Sequence, residues 1–211
     1  DDEVERMISS LRDMRGKDQV LMSVWFENAE HGLAIGQFGL ALETRDGGKS
    51  WSERRLVAGE AGERHLLQLV AGDNGLLLVA AEAGTILRSE DAGGHWTAIQ
   101  TDNKGSFWTG AALADGSLLM AGMRGHVYRS TDRGLHWGEV ASGTQQSLTG
   151  ITQRADGSVR IVGLGGASLF SKDGGQHFAA SIRPDRAGMT AISRSTAAEV
   201  VFTASGLLLK E

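Results

Sequence analysis

Short apolar runs alternate with polar, glycine-rich turns along most of the chain. Residues 76–80 (LLLVA) and 158–162 (SVRIV) are typical, and each follows a turn that contains Asp and ends in Gly. Runs of this length, rich in β-branched residues and leucine, predict strands and not helices. Consecutive apolar positions predict that both faces of such strands are buried, as in stacked sheets.

An internal repeat organises these strands. Four segments share the pattern Ser/Thr-x-Asp-x-Gly-x-x-Trp/Phe, and we call them box turns. They are residues 44–51 (TRDGGKSW), 89–96 (SEDAGGHW), 130–137 (STDRGLHW) and 171–178 (SKDGGQHF). Their aspartates are 45, 41 and 41 residues apart. A period of about 40–45 residues with strand-like content is typical of a β-propeller, in which each repeat is one blade.

Each repeat predicts a four-stranded antiparallel blade in an all-β propeller. The predicted strands, in blade order, are 20–26, 31–35, 39–43 and 51–56; 66–70, 76–80, 84–88 and 96–101; 108–113, 117–121, 125–129 and 137–141; 148–153, 158–162, 166–170 and 178–182; and 189–193, 199–203 and 206–211. The blades therefore span about 18–58, 59–102, 103–143, 144–184 and 185–211, of which the last lacks its outer strand.

The N-terminal residues 1–17 have a different pattern. Val4, Met7, Ile8 and Leu11 recur at helical spacing, which predicts a short amphipathic helix or an insertion between blades. Four complete blades and a partial fifth are compatible with a closed five-bladed ring or with a larger one. Because an open ring exposes strand edges and apolar faces, we expect a larger ring with its missing blades upstream.

The box turns have a structural interpretation. An Asp carboxylate can accept backbone N–H groups of the turn, and the following aromatic ring can pack under it. Calcium binding or acid catalysis is the alternative, but near-copies spaced around a ring cannot converge on one substrate. We therefore expect a structural role for Asp46, Trp51, Asp91, Trp96, Asp132, Trp137, Asp173 and Phe178.

Composition excludes several classes of function. The net charge of −5 disfavours nucleic acid as a partner, because phosphates attract basic surfaces. The absence of cysteine excludes thiol nucleophiles, disulfides and thiolate metal sites. No apolar run reaches the roughly 20 residues that a membrane-spanning helix needs, so no direct membrane span is expected.

Catalytic and metal sites have little support in the sequence. A sialidase needs a tyrosine nucleophile with an arginine cluster, but Tyr128 stands where the other blades carry leucine, which indicates a core residue. His95, His136 and His177 share one box position on three blades, so they lack the spacing of metal ligands. We expect no cofactor or metal. A carbohydrate-active propeller, either a sialidase-like glycosidase or a lectin, remains the alternative, since upstream blades could carry catalytic groups.

Recognition is the function that the sequence favours. The loops between blades and those joining second to third strands share one propeller face, and this face varies most among the repeats. Arginine and aromatic residues on it are candidate partner-binding anchors. The candidates are Gln37, Phe38, Arg54, Arg55, Arg64, Phe107, Trp108, Arg124, Arg183 and Arg186.

The repeats resemble the Asp-box, or BNR, repeat of sialidases and other propellers, where it is a fold marker remote from the active site. Residues 23–39 (SVWFENAEHGLAIGQFG) and 42–51 (LETRDGGKSW) more narrowly resemble the photosystem II stability/assembly factor family. This resemblance covers the first blade closely and the later blades loosely, from about Val20 to Glu211.

The resemblance implies a seven-bladed, non-enzymatic protein that holds membrane subunits during assembly, in the thylakoid lumen or bacterial periplasm. Similar propellers in non-photosynthetic bacteria are often associated with RND-type transporters. Leu33 replaces the usual Trp, and the charge lacks a basic excess, which favours this branch. We therefore expect a periplasmic protein, exported by an upstream signal, that docks on an RND-type transporter or another assembling membrane complex.

Overall fold

The computed structural model describes residues 19–194 and 199–210. Their nineteen strands form five antiparallel sheets in which neighbouring strands are consecutive in sequence. In sheet order they are β1 (Leu21–Phe26), β2 (Gly32–Gly36), β3 (Ala41–Thr44) and β4 (Ser52–Glu53); β5 (Leu66–Ala71), β6 (Leu77–Ala81), β7 (Thr85–Ser89) and β8 (Thr97–Gln100); β9 (Phe107–Ala112), β10 (Leu118–Gly122), β11 (Val127–Ser130) and β12 (Gly138–Val140); β13 (Leu148–Gln153), β14 (Val159–Gly163), β15 (Ala167–Ser171) and β16 (Ala179–Ile182); and β17 (Met189–Arg194), β18 (Glu199–Thr203) and β19 (Gly206–Lys210).

The predicted all-β propeller of four-stranded blades is confirmed. The described residues form four complete blades and one three-stranded sheet, which is five blades and not seven. The predicted N-terminal helix, with Val4, Met7, Ile8, Leu11 and Met14, lies outside the described residues. Within those residues the only helical segments are short 3-10 turns, and none is long and apolar enough to cross a membrane.

The first strands of successive blades lie side by side, in the order β1, β5, β9, β13 and β17. The core therefore consists of layers between neighbouring blades. Leu33 and Ile35 of blade one pack against Leu69, Val79 and Leu87 of blade two. The next three layers contain Val70, Leu78, Phe107 and Met120; Leu119, Val127, Ile161 and Leu169; and Val162, Met189 and Val201.

Strand β6 shows why the apolar runs are continuous. Leu77 and Val79 point into the layer with blade one, whereas Leu78 and Ala80 point into the layer with blade three. All four are at most 1% exposed. Because successive strand residues face opposite sides of a sheet, a blade with two neighbours needs apolar residues at both parities.

Candidate functional site

The propeller has two faces with different loops. We call one the box face, because it carries the box turns and the hairpins between first and second strands. The other, the front face, carries the loops between second and third strands and the linkers between blades. In the first four blades its loops are residues 37–39, 82–84, 123–125 and 164–166, and its linkers are 54–65, 101–106, 141–147 and 183–188.

Each front loop of the first four blades turns through one left-handed residue followed by a glycine. The left-handed residues are Phe38, Ala83, Arg124 and Gly165, with φ of 53°, 51°, 57° and 60°. Glycine adopts this conformation without penalty, whereas another residue there is strained by about 1 kcal/mol or more. Gly165 and Ala83 show that the fold accepts small residues at this point, so the fold itself does not require the large exposed side chains of Phe38 and Arg124.

Phe38 is an exposed aromatic side chain on a firmly held loop. It is 53% exposed. Its backbone N–H donates to Nδ1 of His65 at 2.9 Å, and the two rings meet edge to face with centroids 4.5 Å apart. The neighbouring Gln37 is half-buried, and its Oε1 accepts from the backbone N–H of Val20 at 3.3 Å. The loop thus presents one large apolar group from a rigid base.

Some arginines of the front face form ion pairs with nearby carboxylates, and others do not. Arg55 pairs with Glu63 at 2.5 Å, and Arg183 pairs with Asp185 at 2.7 Å. The hydrogen bond from Arg183 lowers the pKa of Asp185 to about 2.

Arg64 pairs with Glu60 at 3.0 Å and also donates hydrogen bonds to Thr85 and Gln100 of the second blade. These bonds hold the linker 54–65 against the second blade. Arg124 and Arg186, by contrast, are exposed and make no ion pair with any other described residue.

Two of the predicted partner-binding residues, Phe107 and Arg54, lie away from the front face. Phe107 is fully buried and packs edge to face on Tyr128, because its position on β9 points into the layer between blades two and three. Trp108, beside it, is half-buried. Arg54 points away from the front face, since it lies 3.4 Å from Glu43 and donates to the Gly94 carbonyl in the second box turn at 2.9 Å.

The box turns contain one recurring set of hydrogen bonds. In the second, Ser89 Oγ donates to Oδ1 of Asp91 at 2.8 Å and accepts from the N–H of Gly93 at 3.0 Å. Oδ1 of Asp91 also accepts from the His95 N–H at 2.8 Å, while Oδ2 lies 2.6 Å from the His95 ring. These bonds hold the pKa of Asp91 far below its usual value, led by the backbone bond from His95.

The same pattern recurs at the third and fourth boxes, where His136 and His177 bond to Asp132 and Asp173. At the first box, Ser50 bonds to both oxygens of Asp46 and lowers its pKa to about 2. All four carboxylates are therefore engaged within their own turns.

The box aromatics pack beneath the turns to different extents. Trp96 Nε1–H donates to the Gly93 carbonyl at 2.9 Å, and the ring is 8% exposed in the layer with blade one. Trp51 makes the same bond to Gly48 at 3.2 Å but is 37% exposed. The sequence alone places these two residues identically.

Two arginines at one repeat position form hydrogen bonds between neighbouring blades. Arg88 is only 7% exposed and donates through Nε to the Arg133 carbonyl in the next box turn at 2.7 Å. Arg129 repeats this bond to the Gly174 carbonyl at 3.0 Å. The sequence could have predicted these bonds from the shared repeat position of the two arginines. A donor that recurs once per blade can reach an acceptor that also recurs once per blade.

Tyr128 has the environment of a core residue. It is 2% exposed, and its hydroxyl donates to Oδ1 of Asp102 at 2.7 Å. Burial and this bond to a carboxylate raise its pKa well above the usual value, which disfavours the phenolate. Among the described residues no group of three or more His, Asp or Glu side chains could hold a metal ion.

Comparison with known proteins identifies the family. The family described as "Photosynthesis system II assembly factor YCF48" matches residues 12–165, which is more than half of the chain. The chain belongs to this family. A curated relative, "Photosystem II assembly lipoprotein Ycf48" of Synechococcus sp. (strain CC9902), is 30% identical over 84 residues, covering 39% of this chain and 25% of that protein.

Solved structures show the same fold. YCF48 bound to D1 peptide superposes with a TM-score of 0.71 at 21% identity, covering 92% of this chain and 63% of that one. YCF48 from Cyanidioschyzon merolae gives 0.69 at 22% identity, covering 92% and 67%. An enzyme, virginiamycin B lyase from Staphylococcus aureus (the H270A protein with quinupristin), gives 0.73 at 15% identity, covering 92% and 71%. This chain covers 25% of the curated Synechococcus relative and 63% of YCF48 bound to D1 peptide, which is under two thirds of the length of each.

Proposed function

We propose that this chain is a non-catalytic binding protein that assists the assembly of a membrane protein complex, and that its front face contacts the partner. The observation that carries the proposal is the strained, exposed placement of Phe38 and Arg124 where the fold itself accepts glycine. The relative solved with a D1 peptide supports a membrane protein as the partner.

The chemistry of the front face favours a particular kind of contact. Phe38 supplies an apolar anchor on one side, and Arg124 and Arg186 supply cations that no described carboxylate neutralises. Aromatic and arginine side chains contribute much of the energy of protein interfaces. A partner segment that combines apolar and acidic side chains would complement them.

Further blades are part of the proposal. Val24 of blade one occupies the same repeat position as Leu69 of blade two. Leu69 is only 8% exposed because blade one covers it, whereas Val24 is 59% exposed. At the other end, Phe202 and Leu207 are 38% and 61% exposed. A seven-bladed ring would bury both faces, and the partial coverage of the YCF48 structures is in line with it.

The remaining assignments rest on the resemblance in the sequence. We assign the box turns as Asp-boxes with a purely structural role, supported by the engagement of their carboxylates within each turn. We further propose a periplasmic location and, as the candidate membrane complex, an RND-type transporter.

Site-specific photo-crosslinking in native membranes tests the proposal. A photoreactive amino acid would replace Phe38 or Arg124 on the front face, and His95 or His136 on the box face as matched exposed controls. We expect front-face positions to crosslink to one integral membrane protein and box-face positions to give no such adduct. Equal crosslinking from both faces, or adducts with soluble proteins alone, would contradict the proposal.

A further inference from the structure

The third blade carries a cavity of about 630 Å³ at the edge of the front face. It lies between the front loop of that blade, strand β12 and the linker to the fourth blade. Its lining includes Arg124, His126, Glu139, Ser142, Thr144 and Gln145. The volume falls within the range of about 300–1,000 Å³ in which proteins bind small molecules.

The repeat provides an internal control for this cavity. Where the third blade has Arg124, the second and fourth have Ala83 and Gly165. Where it has Glu139 on its outer strand, they have Ala98 and Ala180, as the strand registers show.

The pairs that define this register are Tyr128 with Glu139, Leu87 with Ala98 and Leu169 with Ala180. His126 likewise stands where they carry Thr85 and Ala167. The blade fold therefore does not require the charged residues of the third blade.

The side chains in the cavity leave one cation available. His126 Nδ1 lies 2.6 Å from Oε1 of Glu139, so the proton of this hydrogen bond resides on Nδ1 when the carboxylate is ionised. No other described residue hydrogen-bonds to Nε2 of His126 or forms an ion pair with Arg124. The guanidinium of Arg124 is thus uncompensated, and His126, whose Nε2 has no partner among the described residues, lines the same cavity.

We propose that this cavity binds the carboxylate group of a small molecule. Arg124 would hold the carboxylate through paired N–H donors, which match its two oxygens. Thr144 and Gln145 would bond to the polar groups next to it. The Glu139 carboxylate lies in the same cavity, and like-charge repulsion disfavours the doubly charged form of phosphate more than a singly charged carboxylate. The site shares Arg124 with the proposed partner-binding face, but it does not depend on that function.

NMR titration of the full chain with N-acetylglycine tests the site, with inorganic phosphate as the second probe. We expect saturable shifts of the backbone amides of Arg124, Ser142 and Thr144, and at least tenfold weaker binding of phosphate. The variant Arg124→Gly suits the test, because glycine favours the left-handed backbone found there. It should weaken N-acetylglycine binding at least tenfold.

Arg186→Gly is the matched control, because Arg186 is also an exposed, left-handed arginine of the front face but lies outside the cavity. It should bind N-acetylglycine as the wild type does. Shifts that do not saturate, equal binding by the Arg124→Gly variant, or an equal loss in both variants would each overturn the proposal. Failure of the crosslinking experiment would leave this result unaffected.

Discussion

The two faces of the propeller use the same repeat in opposite ways. On the box face, each blade repeats both the backbone and the side-chain hydrogen bonds, so Asp91 and Asp132 have the same partners. On the front face, the loops of the first four blades repeat only the backbone, and the left-handed position carries Phe38, Ala83, Arg124 or Gly165. Side chains that repeat in successive blades therefore indicate contacts that stabilise the fold. Side chains that vary on a repeated backbone, as on the front face, indicate a surface available for binding.

Removing a buried box aromatic should have the largest effect. Trp96→Ala deletes a ring that is 8% exposed, and we expect a loss of about 3–5 kcal/mol in the free energy of unfolding. Trp51→Ala is the matched control and should cost clearly less, because Trp51 is 37% exposed. Chemical denaturation followed by tryptophan fluorescence measures both. Equal losses would contradict the expectation that Trp96 is packed more tightly than Trp51.

Removing a hydrogen bond between two blades should have the next largest effect on stability. Arg88→Met leaves the Arg133 carbonyl without its donor at the junction of blades two and three. We expect a loss of about 1–3 kcal/mol in the free energy of unfolding. Arg124→Met, on the front face, serves as the control and should change stability by less than about 0.5 kcal/mol. A neutral Arg88→Met variant would argue against blade coupling through this bond.

Acid should weaken the box face. The folded-state pKa of Asp46 is about 2, against an ordinary value of 3.8, and those of Asp91, Asp132 and Asp173 are also lowered. A depressed carboxyl pKa contributes stability that is complete above the unfolded-state value and is lost as pH falls below it. We therefore expect the melting temperature to fall steeply from about pH 4 towards pH 2.

Asn substitutions separate the two faces in that experiment. Asp132→Asn should flatten the acid dependence of the melting temperature with only a weak effect of salt, because hydrogen bonds from Ser130 and the His136 backbone accompany the contact with the His136 ring. Asp185→Asn on the front face removes an exposed ion pair with Arg183, so its effect should shrink in high salt. Identical salt responses would remove this distinction between the faces.

Changing the front loops should have the smallest effect on stability. In Arg124→Gly, relief of the left-handed backbone offsets the greater flexibility of glycine in the unfolded chain. We expect the free energy of unfolding to stay within about 0.5 kcal/mol of the wild type by urea denaturation. A loss above about 1 kcal/mol would show that Arg124 has a structural role on the front face.

The sequence by itself determined the propeller, its strands and the positions of the box turns. These features follow from local rules, namely alternation along a strand, turn chemistry and a repeat period, which require no knowledge of distant residues. The predicted strand at residues 148–153 coincides with β13 for this reason. Exposure of Phe38 and Arg124 could also be predicted, because their loops lie between strands.

Only the tertiary structure decided which side chains meet. Phe107 borders a linker in sequence, but stacking of blades two and three buries it completely. Arg154 and Glu199 are 45 residues apart and lie within 3.2 Å across the junction of blades four and five.

His126 and Glu139 face one cavity because the register of β11 and β12 brings them together. The physical reason is that a side-chain pairing depends on the stacking and register of whole sheets, and these are collective properties of the packed layers that no local pattern encodes.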